Sequence, residues 1–312
     1  MRVLITGAGQ VGCHAAAALA AGGHECVLLD VHPDRPYVWE VAGKGTTLLR
    51  ESVNDTAVVT RLLERERVDA VVHTAALIGH KAERNPALAF YVNTQGTASV
   101  ADACCRASVR RLVHVSSLGV YDWAALEGAP WVSEDSPIRP RSVYSASKLA
   151  AEAAALAFEP QGLTVTVLRL AGVYGHGHYR GGSRVGFLLR RSLERALAGQ
   201  EVRLPASLGA SEHLYAPDAG HAVRAALERG LPGTFNIGTG VVSQAEEVAD
   251  AIRVAVPGAD VVAPPPEPAP PPLDIRRAAR ALGYRARWGL PDGIADWAEL
   301  MRAAAREEVT QR

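Results

Sequence analysis

The chain has 312 residues, with 33 Lys and Arg against 33 Asp and Glu, so its formal charge is zero when histidine is neutral. That length can bury a full core and divide into two domains. The balanced charge offers no excess for nucleic acid or an anionic membrane surface, and no apolar run approaches a membrane span. The start, "MRVLITGAGQ", passes at once from a short apolar run to glycines without the features of a secretory signal. Of the four cysteines, Cys104 and Cys105 are neighbours, while Cys13 and Cys26 stand apart with no CxxC or metal spacing. A reduced, cytoplasmic protein with no bound metal is the expectation.

In chain order, "RVLIT" reads as a strand, "VGCHAAAALAAGG" as a helix and "ECVLLD" as the next strand. "VVTRLLERER" then leads into "VDAVVHTAA", and "TASVADACCRAS" into "RRLVHVSS". The alanine-rich helix "YSASKLAAEAAALAF" precedes "LTVTVLRLAGVYG". Short continuous apolar runs suit strands buried on both faces, and their alternation with helices predicts an α/β, Rossmann-like doubly wound parallel sheet. After about Gly172 the alternation weakens. Residues 1–171 are therefore expected to form a dinucleotide-binding domain, and 172–312 a smaller α/β substrate domain interwoven with it. There "GFLLRRSLERALAG" reads as a helix, "EVRLP" and "GTFNIGTG" as strand segments, and "APPPEPAPPPLD" as an extended surface loop.

"LITGAGQVG" sets Gly7, Gly9 and Gly12 between the first strand and the first helix. At that joint the glycines permit a tight turn, close backbone approach to a pyrophosphate and close helix–strand packing. The helix N-terminus adds free N–H groups and partial positive charge. Gln10 and Val11 lie within the same loop. Asp30 ends the second strand eighteen residues after Gly12, placed to accept hydrogen bonds from ribose hydroxyls and to repel a 2′-phosphate. NAD is expected over NADP, with Arg35 nearby leaving some NADP use open.

With the glycine loop and "YSASK" together, the sequence resembles the extended short-chain dehydrogenase/reductase family, of the NAD-dependent epimerase/dehydratase type. "HTAAL" at 73–77 is similar to the family's cofactor-lining segment, with Ala75 and Ala76 beside the cofactor. "NTQGT" at 93–97 and "VSSLGVYD" at 115–122 hold the family's helix and serine motifs in their usual order. "LRLAGVYG", "FNIGTG" and "LDIRRAARALGY" match its later landmarks. Ser52 stands where the family often has an adenine-contacting Asp, with Val53 offering backbone contact. Asn93 is implied near the cofactor, but a hydrogen-bonding role at a helix kink is equally open.

The resemblance implies Ser117, Tyr144 and Lys148 as the catalytic trio. Physical chemistry sets what they must do. A phenol titrates near pH 10, so service as a base at neutrality needs a shift of roughly three units, about 4 kcal/mol. An ammonium about 5 Å away supplies roughly 3 kcal/mol at an effective dielectric near 20, and a nicotinamide cation the remainder. Spacing i, i+4 puts Tyr144 and Lys148 on one helix face. Ser117 would hold the substrate oxygen beside Tyr144.

Two departures narrow the chemistry. Leu118 and Gly119 stand where the family's dehydratases and decarboxylases carry an acid, which leaves reversible oxidation of a carbinol. Gly172 and Ser211 stand where nucleotide-sugar epimerases usually have Asn and Arg, with Arg180 or Arg184 as substitutes. His80, Gly172, His176 and Arg184 are expected on the substrate side. The pair His176 and His178 lacks a third metal ligand of matching spacing. Trp123 and Trp131 are read as a pocket lid or as residues buried under a long loop.

The function expected is an NAD-dependent redox enzyme on a sugar-like substrate, most specifically a nucleotide-sugar 4-epimerase. The alternative is a dehydrogenase or ketoreductase on a non-nucleotide substrate, and less so a non-catalytic NAD-binding regulator. The resemblance also implies a homodimer through the helices around 87–106 and 144–158.

Overall fold

The computed structural model describes residues 1–177 and 183–310. Strands β1 (Arg2–Thr6), β2 (Glu25–Asp30), β3 (Thr47–Arg50), β4 (Ala70–His73), β5 (Arg111–Ser117) and β6 (Thr164–Leu170) alternate with seven helices. These are α1 (Gln10–Ala21), α2 (Arg35–Ala42), α3 (Thr56–Arg65), α4 (Gly79–Arg84), α5 (Pro86–Phe90), α6 (Gly96–Arg106) and α7 (Val143–Leu156). Beyond them come β7 (Gly172–Tyr174), α8 (Arg184–Leu197), β8 (Val202–Arg203), β9 (Ser211–Tyr215), α9 (Ala216–Arg229) and β10 (Gly233–Ile237). The chain ends with β11 (Val242–Ser243), α10 (Ala245–Ala255), β12 (Val261–Val262), α11 (Arg276–Leu282) and α12 (Leu290–Thr310).

The main sheet has the order β10-β6-β5-β4-β1-β2-β3, with every neighbouring pair parallel. This is the expected Rossmann-like arrangement. Its strands are buried on both faces, as the run Ala70–His73 illustrates, because one apolar core packs on each side. The winding reverses between β1 and β4. Loops leaving these two strands diverge, opening a crevice at their carboxyl ends.

Local chemistry explains the helices around that crevice. Asp55 caps α3 by accepting from Val58 N at 3.0 Å, and Val59, Leu62 and Leu63 form its buried stripe. α1 is rich in alanine because it is covered on two sides, by the sheet and by α9. Gly220 of α9 meets α1 so closely that a Cβ there would lie 2.3 Å from the His14 carbonyl oxygen.

The chain after Leu170 is interwoven with the first part. β7, β9 and β11 form a separate three-stranded sheet, and β8 pairs with β12, but β10 returns to the edge of the main sheet. A third core, including Leu189, Leu193, Ile252 and Trp297, joins α8, α10 and α12. Residues 263–272, the proline-rich run, have no regular structure, and Leu273 then bridges to Val132. The sequence reading assigns no element to α2, β3, α9, α10, α12 or the short strands β9, β11 and β12, and it takes α4, with His80 and Lys81, for a loop. For α9 a signal was present: Pro217 near its start, Arg229 in its last turn and Gly230 beyond it at φ +58°.

The α1–α9 contact generates a test. Gly220→Ala is expected to force the two helices apart and cost about 1–3 kcal/mol, read as a lower midpoint in urea unfolding.

Candidate active site

The glycine loop is built by the protein's own packing at two positions and not at the third. Gly7 has φ +87°, and a Cβ on it would lie 2.7 Å from Ala75 N. A Cβ on Gly12 would lie 1.9 Å from the Gly7 carbonyl oxygen. A Cβ on Gly9 would meet no protein atom within 4 Å, so the fold alone gives no reason for glycine there. Gly9 is also the N-cap of α1 and brings no side-chain cap, which leaves the first N–H groups of the helix for an anion. Asp30 stands over the loop: one carboxylate oxygen accepts from Ala8 N at 2.9 Å and the other from His32 N at 2.8 Å. Each oxygen keeps a lone pair for a further donor. Arg35 lies over the Trp39 ring at 5.3 Å. This cradle fits a dinucleotide with free ribose hydroxyls.

The remaining cofactor-side positions divide by environment. Val11 is half-buried and packs against the main core. Gln10 reaches across to the segment after β7, donating to the Gly175 carbonyl at 2.8 Å. Ser52 accepts from Asn54 N at 3.2 Å, and Val53 is buried in the core on the opposite face of the sheet. Ala75 touches the glycine loop through its backbone, and Ala76 follows it half-buried. Asn93 is fully buried within a π-helical turn at 91–95. Its amide accepts from Leu77 N at 2.7 Å and donates to the Leu77 carbonyl at 3.0 Å and to Ser147 at 2.8 Å. Asn93 therefore splints the segment after β4 to α7.

Ser117 ends β5, and α7 brings Tyr144 to it. Ser142 caps α7 by accepting from Ser145 N at 3.1 Å. Tyr144 faces Ser117, whose hydroxyl favours the ionised phenol. Tyr144 is half-buried, and the burial it has pushes the phenol up to about 12; the Ser117 hydroxyl acts the other way without overcoming it. Lys148 is buried, at 2% exposure, and among the described residues its ammonium makes no hydrogen bond. Burial lowers it to about 8, opposed by Glu152 one turn later. Burial thus opposes the attraction expected of Lys148, and the nicotinamide cation is left to supply the larger share of the shift. The same loss of water that brings the two groups together penalises both charged forms.

Beneath Lys148 lies a pair of histidines that the sequence reading did not single out. His73 and His114, on β4 and β5, stack at 5.5 Å between ring centroids. Burial lowers His73 to about 3, and burial followed by the Lys148 charge holds His114 well below its ordinary value. Both are neutral, so neither competes with Lys148 for charge. Gly119 has its own constraint: a Cβ there would lie 2.8 Å from Ser145 Oγ and 3.4 Å from Ser117 Oγ. Hydroxyls fill the space that an acidic side chain would need.

The positions expected on the substrate side are more dispersed. His80 is exposed on α4, and Arg184 is exposed at the start of α8. Gly172 opens β7, where a Cβ would meet the Glu212 carbonyl at 3.2 Å and Val185 at 3.3 Å. Ser211 pairs with His213 at 3.3 Å. His176 approaches Glu40 of α2 at 3.0 Å, and its carbonyl accepts from Tyr37 at 3.3 Å. His178 and Arg180 lie outside the described residues. Trp123 is half-buried and donates to the Leu118 carbonyl at 3.2 Å, whereas Trp131 is exposed beneath the Arg276 guanidinium at 5.1 Å. Among the described residues no group of three His, Cys, Asp or Glu is arranged to hold a metal ion.

Comparison with known proteins agrees with this architecture. Residues 3–238 match the NAD dependent epimerase/dehydratase family. The UDP-glucose 4-epimerase of Mycolicibacterium smegmatis is 32% identical, over 97% of this chain and 99% of that protein. The Thermus thermophilus UDP-glucose 4-epimerase, solved in complex with NAD, superposes with a TM-score of 0.82 at 30% identity, covering 97% of this chain and 100% of that one. DesIV, a dTDP-glucose 4,6-dehydratase from Streptomyces venezuelae solved with NAD and TYD, gives 0.81 at 26% identity over 97% of both chains.

A buried polar chain anchors α7 to the rest of the molecule. Glu152 receives the Arg169 guanidinium at 3.0 and 2.7 Å and a hydrogen bond from Ser116. Arg169 also donates to Tyr121 at 3.1 Å, and Tyr121 to Asn236 of β10 at 2.6 Å. Arg169→Met is expected to strand the Glu152 carboxylate and cost about 3–5 kcal/mol in urea unfolding. The double variant with Glu152→Gln should recover part of that loss, because neither charge remains.

Proposed function

The chain is a member of the NAD dependent epimerase/dehydratase family, and from that premise we propose that it is an NAD-dependent nucleotide-sugar 4-epimerase. This reading is supported by Tyr144 facing Ser117, by the buried Lys148 one helical turn after Tyr144, and by a glycine loop open to an anion, in a chain that spans nearly the whole length of UDP-glucose 4-epimerases. Bound NAD supplies a hydride acceptor and donor together with a positive charge. Ser117 orients the substrate oxygen, and Tyr144 Oη takes its proton and returns it after the carbon has been inverted. Lys148, with its ammonium uncommitted within the protein, binds the nicotinamide ribose. Asp30 binds the adenosine ribose, and α1 faces the pyrophosphate. Gly119 argues against dehydration, because no acid stands beside Ser117 to move a proton at the neighbouring carbon.

The same reading divides the chain near residue 171 into a dinucleotide half and a substrate half, with α9 and β10 returning to the first. It makes the protein a cytoplasmic homodimer. Leu88, Phe90 and Tyr91, at 41%, 41% and 54% exposure around α5, are the apolar surface that pairing would cover together with α7. A second reading, a dehydrogenase or ketoreductase on a non-nucleotide substrate, is favoured by Gly172 and Ser211, neither of which offers the contacts expected for a nucleotide diphosphate.

One experiment separates them. Freshly purified protein, denatured and read by ultraviolet absorbance, is expected to release NAD stoichiometrically, and the native protein to interconvert UDP-glucose and UDP-galactose without added cofactor. Tyr144→Phe should retain the NAD and lose at least about 100-fold in kcat. Empty protein that oxidises a free sugar only with added NAD supports the second reading.

A further inference from the structure

The first turn of α7 has a second anchor that comes from outside the helix. Val143 N and Tyr144 N have no acceptor within α7, as the first N–H groups of any helix lack one. Both donate to one carboxylate, that of Glu83, at 3.2 Å to Oε2 and 3.1 Å to Oε1. Glu83 lies on α4, sixty residues earlier in the sequence, directly after the segment at 73–77 that meets the glycine loop. α4 is itself fixed by Ala82, which is completely buried.

We propose that Glu83 is a positioning residue for Tyr144. Its two oxygens set the height of the tyrosine's own peptide group against Ser117, and its charge adds to the field that the phenol must overcome on losing its proton. The proposal rests on Tyr144 being the base of the reaction described above. The bidentate contact spans one peptide unit, so loss of the carboxylate lets the tip of α7 fray at the residue that must stay in register. A negative charge held at the tyrosine's own peptide N–H, on an exposed side chain, shifts the phenol titration upward by about half a unit.

Other charged or titratable groups surround this helix tip. They are Lys148 and Glu152 on α7, the neutral His73 and His114 on β4 and β5, His80, Lys81 and Arg84 on α4, and Arg141 with Asp122 at 3.4 Å before the helix. Substitution at Glu83 leaves each of them in place, so a change in the phenol titration reports on Glu83 itself.

The test uses the full chain with NAD added, as wild type, Glu83→Gln, Glu83→Ala and Tyr144→Phe. An ultraviolet difference titration identifies Tyr144 as the ionisation missing from Tyr144→Phe. Both Glu83 variants are expected to lower its midpoint by about half a unit. Glu83→Gln keeps one acceptor oxygen and should keep kcat on UDP-glucose within about threefold of wild type, whereas Glu83→Ala should lose about tenfold at unchanged NAD content. An unmoved midpoint in both variants overturns the proposal, whether or not UDP-glucose is turned over. A lowered midpoint in a protein that leaves UDP-glucose untouched upholds the role of Glu83 and overturns the epimerase reading instead. Glu83→Gln alone suffices if Glu83→Ala does not fold.

Discussion

Removal of water from a phenol and an ammonium on the same face of one helix is the constraint around which this protein is organised. Burial raises Tyr144 and lowers Lys148, so each charged form is disfavoured by the place it occupies. A site built this way has no strong base of its own. In the proposed reaction it acquires one when the nicotinamide cation sits beside the phenol, and the glycine cradle at the end of β1 fits a dinucleotide that would carry that charge. Coupling of base strength to cofactor then follows from the packing, because the groups the protein supplies leave the phenol protonated at neutral pH.

The rest of the fold keeps that arrangement rigid. Asn93, in its π-helical turn, ties the segment after β4 to Ser147, one residue before Lys148. The Glu152–Arg169 pair continues through Tyr121 and Asn236 to β10, so the far end of α7 is joined to a strand that enters the main sheet late in the sequence. Under Lys148 the core is polar yet uncharged. His73 is held between Thr6 at 2.6 Å and Thr97 at 2.9 Å, whereas both ring nitrogens of His114 are buried without a hydrogen-bond partner among the described residues. Unpaired nitrogens in the core cost stability.

Much of this was legible before any coordinates. The buried strand runs and the glycine loop at a strand–helix joint announced the parallel sheet, because short continuous apolar runs suit strands covered on both faces. The i, i+4 spacing puts Tyr144 and Lys148 on one face of a helix, and α7 carries both. What stayed hidden depends on contacts distant in sequence. Nothing local to "GHKAER" marks Glu83 as the cap of a helix sixty residues away. Nothing in "LVHVSS" shows that His114 faces a histidine of another strand. The sign of the tyrosine shift was also beyond reach, since Coulomb's law gives the attraction of a nearby cation, but the opposing burial cost requires knowing how deep the hydroxyl lies.

The most direct measurement is the ionisation of Tyr144 as a function of what occupies the cradle. Tyrosinate absorbance, with Tyr144→Phe as the blank, is followed against pH in the protein with oxidised NAD and with its reduced form. The account predicts that the oxidised cofactor, with its positively charged nicotinamide ring, brings this ionisation down by several units toward neutrality, and that the reduced form, whose ring is neutral, leaves it above about 10. The same midpoint with both forms would contradict it.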